Sequence, residues 1–233
     1  AGVAQLAFRA YPARPNPGGR GEVTFPLDLP DDADVRIALF DASGRRVTAL
    51  TNGDWDVAGV AAVDEEQGVV YVTANRDGPL EQHLYAVPLA GGEPRRLSRE
   101  RGTHAVSCAR SGRLCVDVHS ARDRFPTAVL REVAGRDVAV LGVARDADLE
   151  RLRLRAPEIV TVRGPGGQAL KGALLRPRRI EPGRRHPAVV MVYGGPQSRA
   201  VADVWQPRLL WQHLADRGFV VFELDNRGTA GRG

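Results

Sequence analysis

The chain has 233 residues, 43% of them hydrophobic and 26% charged, with a formal net charge of +5. That is enough chain to bury a core of its own, and no run of 18 or more apolar residues is present to serve as a membrane span. The positive charge is nearly all arginine, Lys171 being the sole lysine, and the clusters Arg95-Arg96, Arg178-Arg179 and Arg184-Arg185 lie scattered between acidic residues. A nucleic-acid binder gathers its basic residues on one face beside a recognisable motif, so nucleic acid is set aside as a partner.

Position 1 is Ala rather than an initiator Met, and the sequence closes on Ala230-Gly231-Arg232-Gly233 inside a Gly-rich turn. The expectation is a piece of a longer protein, in which a missing signal peptide carries no message about export.

Residues 1–34 open irregularly. Pro12, Pro15, Pro17, Gly18, Gly19 and Gly21 interrupt any periodicity, and Glu22-Val23-Thr24-Phe25-Pro26-Leu27 is a candidate strand. The stretch reads either as a small β-sandwich-like module or as an atypical propeller blade.

Between 35 and 150 the sequence repeats. Leu39-Phe40-Asp41, Leu84-Tyr85-Ala86 and Val129-Leu130-Arg131 recur at a constant offset of 45 residues. Gly44 and Gly91-Gly92 mark one tight turn of the repeat, Gly53 and Gly102 a loop, and Gly68 and Gly112 a hairpin ahead of Val69-Val70-Tyr71-Val72 and Arg113-Leu114-Cys115-Val116. Strands of about five residues between Gly, Asp and Asn turns, at a period of 40–45, are the pattern of four-stranded antiparallel propeller blades. Two blades and the start of a third are predicted there. Cys108 and Cys115 have no second pair with which to build a zinc site. The residues favour ordinary buried thiols and leave a disulfide open.

Near 150 the pattern changes. Leu149 to Arg155 alternates Leu and Arg, then Glu158 to Arg163 and Ala169 to Leu175 read as two strands around the turn Gly164-Pro165-Gly166-Gly167. After a polar, Pro-rich loop, Ala188-Val189-Val190-Met191-Val192-Tyr193 is a continuous apolar run, the pattern of a strand buried on both faces. A helix from Pro207 to Arg217 is predicted to put Leu209, Leu210 and Leu214 on one face, with Gly218 as its stop. Phe219 to Leu224 is a further strand. A hairpin followed by strand, helix and strand is the opening of an α/β domain, placed at 151–233.

Three stretches resemble the late blades of bacterial dipeptidyl peptidase IV-like enzymes: Leu50 to Val57, Gly78 to Tyr85, and Gly91 to Leu97. His186-Pro187-Ala188 through Val192-Tyr193-Gly194-Gly195-Pro196, and Leu224-Asp225-Asn226-Arg227-Gly228, resemble the opening of that family's hydrolase domain. The chain is thus identified as resembling the prolyl oligopeptidase clan of serine peptidases: a partial β-propeller followed by the N-terminal part of an α/β-hydrolase domain. The resemblance implies acyl-enzyme hydrolysis of small peptides, with release of N-terminal dipeptides carrying Pro or Ala second. An acylaminoacyl peptidase, an oligopeptidase, or a non-catalytic propeller–hydrolase binding module are the alternatives. It implies peptide substrates as partners, no cofactor or metal, a periplasmic or secreted location favoured over a cytoplasmic one, and leaves homodimerisation open.

Tyr193 ends a strand where open α/β sheets place their ligands. The resemblance implies that its phenol donates to the oxyanion of the tetrahedral intermediate, with Gly194, Gly195 and Pro196 shaping its loop. No Gly-x-Ser-x-Gly elbow occurs, and the triad order in this fold is Ser, then Asp or Glu, then His. The triad is therefore expected beyond Gly233 and the chain alone is expected to be inactive. Ser198 reads as a loop residue. His83, His104, His119, His186 and His213 pair with nothing at metal spacing, and Asp225 is expected to hydrogen-bond the Asn226-Arg227-Gly228 turn. Glu65-Glu66 is expected in a hairpin turn of a late blade and is not assigned the grip on a substrate amino terminus that the resemblance places in earlier propeller sequence.

Overall fold

The computed structural model describes residues 9–10, 14–15, 23–24, 27–28, 38–40, 46–109, 112–183, 185–193 and 199–229, with side chains from position 49 onward. Two units divide the chain, Ala1–Asp34 and Val35–Gly233. In the first, β1 (Arg9–Ala10) pairs antiparallel with β4 (Leu27–Asp28), and β2 (Arg14–Pro15) pairs with β3 (Val23–Thr24). The single strand expected over Glu22–Leu27 is thus two short ones in two different pairs. Pro26, which has no amide hydrogen to give a ladder, stands between them.

The second unit begins with a two-stranded pair, β5 (Ala38–Phe40) and β6 (Arg46–Ala49). Next come β7 (Val57–Asp64), β8 (Val69–Ala74), β9 (His83–Pro88) and β10 (Arg95–Arg96), which form one four-stranded sheet. β11 (Thr103–Cys108), β12 (Leu114–Ala121), β13 (Arg124–Glu132) and β14 (Asp137–Val143) form another. In both sheets each strand pairs antiparallel with the next in sequence, so each is a four-stranded meander. This is a propeller-like region. The 45-residue offset carries Leu84 in β9 onto Val129 in β13, third strand onto third strand. The same offset puts Leu39 in β5, so the partial third repeat lies ahead of the two complete sheets, as β5 and β6.

Alternation along β8 and β9 explains why these sheets stack. Val70, Val72 and Ala74 share one buried face with Tyr85 and Val87, packed with Leu50 and Val57. Tyr71, Leu84 and Ala86 bury the opposite face with Leu97, and Cys115 of the second sheet and Val133, just past β13, join them. Side chains two apart point the same way, so one strand serves two cores. Leu84 is fully buried at that inter-sheet contact. Leu84→Ala is expected to cost about 2–5 kcal/mol of folding stability, read as a lower urea midpoint.

Cys108 and Cys115 form a disulfide, at a directly paired position of β11 and β12. The expectation of buried thiols is corrected here. The hairpin register sets the two Cβ atoms opposite one another, within bridging reach.

Past α1 (Ala147–Arg151), whose first amides bond the Asp146 carboxylate, the chain builds a mixed sheet. β15 (Glu158–Arg163) and β16 (Ala169–Leu175) form the expected hairpin. β17 (Ala188–Met191), α2 (Leu209–Asp216) and β18 (Val220–Leu224) complete the order β15-β16-β18-β17. β16 pairs antiparallel with β18, and β17 pairs parallel with β18. Ala173, Leu175, Val201, Trp211, Ala215 and Val221 are its core, with Leu80 from the first blade sheet packed against them.

Among the described strands β17 has one neighbour, β18. One expectation about this sheet is corrected. Helix α2 turns Trp211, Gln212 and Ala215 inward and leaves Leu209 and Leu210 exposed. The i, i+4 pair Trp211 and Ala215 fits the sheet with one large and one small residue, while the left-handed Arg208 just before the helix sets its rotation. Arg208 is held in that conformation by an ion pair with Glu223 at 2.6 Å, a bond to the Ala200 carbonyl at 2.7 Å, and a seat over the Trp211 ring. No helix is long and apolar enough to cross a membrane among the described residues.

Candidate functional site

Parallel strands end at the same edge of a sheet. β17 and β18 are in the register Met191↔Glu223, so Tyr193 and Asp225, two residues further on, come to one edge. Tyr193 is 63% exposed there. Gly194, Gly195, Pro196 and Ser198 lie outside the described residues.

The chain is described again from Arg199, and the segment 199–205 is gripped from two directions. On the side of the mixed sheet, Asp225 is buried, and its carboxylate accepts from the backbone amides of Ala200 at 2.9 Å and Val201 at 3.2 Å. The turn expected at Asn226-Arg227-Gly228 is bonded by Asn226, its Oδ1 accepting from Gly228 N at 3.0 Å and Thr229 Oγ1 at 3.3 Å. Asp225 reaches a segment 25 residues earlier in the chain.

On the blade side, Arg199 Nη1 donates to the Pro79 carbonyl at 2.9 Å, and burial pulls the guanidinium pKa below its usual value. Asp203 N donates to Leu80 O at 2.8 Å, and Asp203 O accepts from Thr103 Oγ1 at 3.1 Å. The Asp203 side chain is 2% exposed. Its Oδ1 accepts from Arg122 N at 3.0 Å and from Arg122 Nη1 at 3.3 Å, while Arg101 Nε lies 2.9 Å from Oδ2 as an ion pair without hydrogen-bond alignment. Trp205 N donates to Ser120 Oγ at 3.2 Å, and its ring lies against Phe125. Nothing in the sequence singles out Asp203, Arg101 or Arg122. The nearer of the two arginines is 81 positions from the carboxylate, and no local pattern marks either pairing.

A second cluster lies within the blade sheets. The register that pairs Cys108 with Cys115 also pairs His104 with His119, four residues along the same face. Their rings stack at 5.2 Å, and His83 of β9 adds a third ring 5.2 Å from His104. His104 Nδ1 lies 2.8 Å from Asp117 Oδ2 and its Nε2 3.0 Å from the Glu100 carbonyl. His83 bonds Ser98 through Nδ1 and Glu81 through Nε2. Arg131, 1% exposed, brings its guanidinium to 3.2 Å from Asp117.

Linear spacing sets these histidines aside, and here a correction is due: ligand atoms of His104, Asp117 and His119 come within 4.8 Å of one another. The symmetry of the hairpin about its turn is the signal in the sequence that points to them. They nevertheless fit a metal poorly. A metal lies in the plane of each imidazole that binds it, and rings inclined by only 21° aim their lone pairs alongside one another without converging. Asp117 is engaged by a buried cation besides. His83 and His104 are hydrogen-bonded and Asp117 is charge-paired with Arg131, while the buried His119 Nδ1 has no hydrogen-bond partner among the described residues.

Burial pushes the His83 pKa down despite its bond with Glu81, and burial with the nearby His104 pushes His119 down. In the unfolded chain both take up a proton near the ordinary value of about 6.5. Their folded pKa values are lower, so the unfolded state binds protons first as pH falls. Their stabilising contribution is complete above about pH 6.5 and is lost on acidification below it. The urea midpoint is therefore expected to fall between about pH 7.5 and 5.5, with a smaller fall in His119→Gln. An equal fall in that variant contradicts the assignment.

Glu65 and Glu66 are exposed in the turn between β7 and β8.

Comparison with known proteins bears on all of this. The family model described as "Dipeptidyl peptidase IV (DPP IV) N-terminal region" matches residues 24–124. Human dipeptidyl peptidase 8 is 31% identical over 79% of this chain and 22% of its own length. A probable dipeptidyl peptidase 4 of Aspergillus clavatus is 24% identical over 92% of this chain and 29% of its own length. The crystal structure of Porphyromonas gingivalis dipeptidyl peptidase 4 superposes with a TM-score of 0.79 at 25% identity, over 95% of this chain and 31% of that one. The chain thus spans under a third of the length of these proteins. Its two four-stranded meanders, the mixed sheet that follows them and these matches agree, and the chain belongs with the dipeptidyl peptidase IV-like proteins of the prolyl oligopeptidase clan.

Proposed function

We propose that the chain is the part of a serine exopeptidase where the last propeller blades, 35–150, meet the opening of an α/β-hydrolase domain, 151–233. The whole protein releases N-terminal dipeptides, with Pro or Ala second, from small peptides. Its nucleophile, acid and histidine lie outside this chain, and peptide hydrolysis through an acyl-serine needs only such a triad and an oxyanion hole.

Tyr193 is the oxyanion donor, and Gly194, Gly195 and Pro196 shape the loop that presents it. The observation that carries the reading is its exposed position just past the carboxyl end of β17, within a chain whose relatives are named dipeptidyl peptidases. Ligands of open α/β sheets gather at that edge. A phenol needs no deprotonation to donate a hydrogen bond to an alkoxide. The Cys108–Cys115 disulfide supports a protein kept in oxidising surroundings, periplasmic or secreted.

The test uses the full-length protein with a Gly-Pro anilide and its N-acetylated counterpart. Cleavage of the free-amine substrate and resistance of the blocked one is the expected result. Faster cleavage of the blocked substrate assigns an acylaminoacyl or oligopeptidase activity and overturns the dipeptidyl reading. The 233-residue chain alone is expected to release no anilide from either.

A further inference from the structure

We infer that residues 199–205 act as a two-sided clasp, through which the blade sheets and the mixed sheet open as one body. The joint then holds the two regions together and is no gate between them. This is independent of the part played by Tyr193. Local openings of a protein span costs from near zero up to that of global unfolding. Where this segment falls in that range depends on what its residues would leave unpaired.

The grip from the mixed sheet centres on one residue. Ala200 N donates to the Asp225 carboxylate at 2.9 Å, and Ala200 O accepts from Arg208 Nη2 at 2.7 Å, Arg208 being paired in turn with Glu223. Glu223 of β18 and Asp225 just beyond it thus hold Ala200 at both of its backbone polar atoms. The grip from the blades centres on Asp203. Its amide donates to Leu80 O, its carbonyl accepts from Thr103 Oγ1, and its carboxylate, 2% exposed, meets Arg122 and Arg101. Leu80 also packs against the core of the mixed sheet, and Trp205 N bonds Ser120 Oγ. Arg199 belongs to both sides. It donates to Pro79 O, and while burial works against its charge, the carboxylates of Asp225 and Asp56 support it.

A chain spans at most about 3.3–3.6 Å per residue, so the short stretch from Ala200 to Asp203 leaves little slack between the two grips. An apolar seam would tolerate sliding, but a carboxylate oxygen shared between the Arg122 amide and guanidinium does not. Parting the blades from the mixed sheet therefore breaks a buried charge pair, and the partner left behind is uncompensated. Loosening either grip should for these reasons loosen the other.

The test is residue-resolved hydrogen exchange on the full-length protein. Without substitution, the amides of Ala200, Val201, Asp203 and Trp205 are expected to share one protection factor within about 3-fold. Much faster exchange at Asp203 and Trp205 marks a gate on the blade side and overturns the inference. Asp203→Asn cuts the blade grip and is expected to lower protection at Trp205 by about 10-fold or more, and at Ala200 and Val201 by at least about 5-fold. Asp225→Asn cuts the other grip, and coupling being reciprocal, it is expected to lower protection at Asp203 and Trp205 as well. Loss confined to the side of the substitution means two independent contacts and overturns the inference, as does no loss at all. Where Asp203→Asn fails to fold, Thr103→Val removes only the bond to the Asp203 carbonyl. About 5-fold loss at Trp205 and Ala200 alike is then expected, and loss at Trp205 alone overturns the inference.

Discussion

Tyr193→Phe in the full-length enzyme is expected to lower kcat by about 10²- to 10³-fold, equivalent to about 2.7–4 kcal/mol of transition-state stabilisation, with KM nearly unchanged. The substitution removes one oxygen and keeps the ring. A fall in kcat with the urea midpoint of the full-length enzyme unchanged separates loss of the donor from loss of the fold. The selectivity for kcat follows from timing. The donor bonds an oxygen that carries full negative charge only at the tetrahedral stage, so the loss is felt there and hardly in ground-state binding. Steady-state kinetics with a Gly-Pro anilide measure both constants. A parallel rise in KM with kcat preserved would assign Tyr193 to substrate binding instead.

Gly102→Ala is expected to destabilise the protein by about 4 kcal/mol or more, among the largest effects of any single substitution. Gly102 has φ +115°, and a Cβ built on it would lie 2.0 Å from the Ser120 carbonyl oxygen and 2.9 Å from its carbon. Both atoms are backbone of β12, so no rotamer change relieves the overlap. Gly78 supplies the control. It has φ +143°, with nothing within 4 Å of the place a Cβ would occupy, so Gly78→Ala should cost only the backbone penalty of about 1–3 kcal/mol. Chemical denaturation of the two variants separates crowding from backbone strain, and equal losses would refute the assignment of the clash. Gly102 also stands between Arg101 and Thr103, which both contact Asp203, so the segment 199–205 should loosen with it.

Local pattern made much of this protein legible. Gly68 and Gly112 each close the hairpin between the first and second strands of a sheet, where the repeat expected them. The third strands β9 and β13 are one offset apart, and the turn at Gly164–Gly167 joins β15 to β16. These features depend on short runs of consecutive residues: alternation selects strands, and glycines with φ > 0 select turns. Hairpin register was also written in the sequence. One hairpin symmetry accounts for Cys108 with Cys115 and for His104 with His119, though only with the turn centred correctly does either pair become visible.

What the tertiary structure alone decided is how these pieces face one another. Leu209 reads as part of an apolar helix face and is exposed, while Trp211 and Ala215 of the same helix turn into the core. Asp225 and Asn226 are adjacent and chemically alike, yet one reaches Ala200 and the other closes a turn. Asp203 carries no motif at all, and its meaning appears only when Arg101 and Arg122 arrive from loops of the blade sheets. Short-range preferences are summed over neighbouring residues and survive in any context. A buried charge is stabilised only by partners that the completed fold delivers, and that delivery is what a linear pattern does not contain.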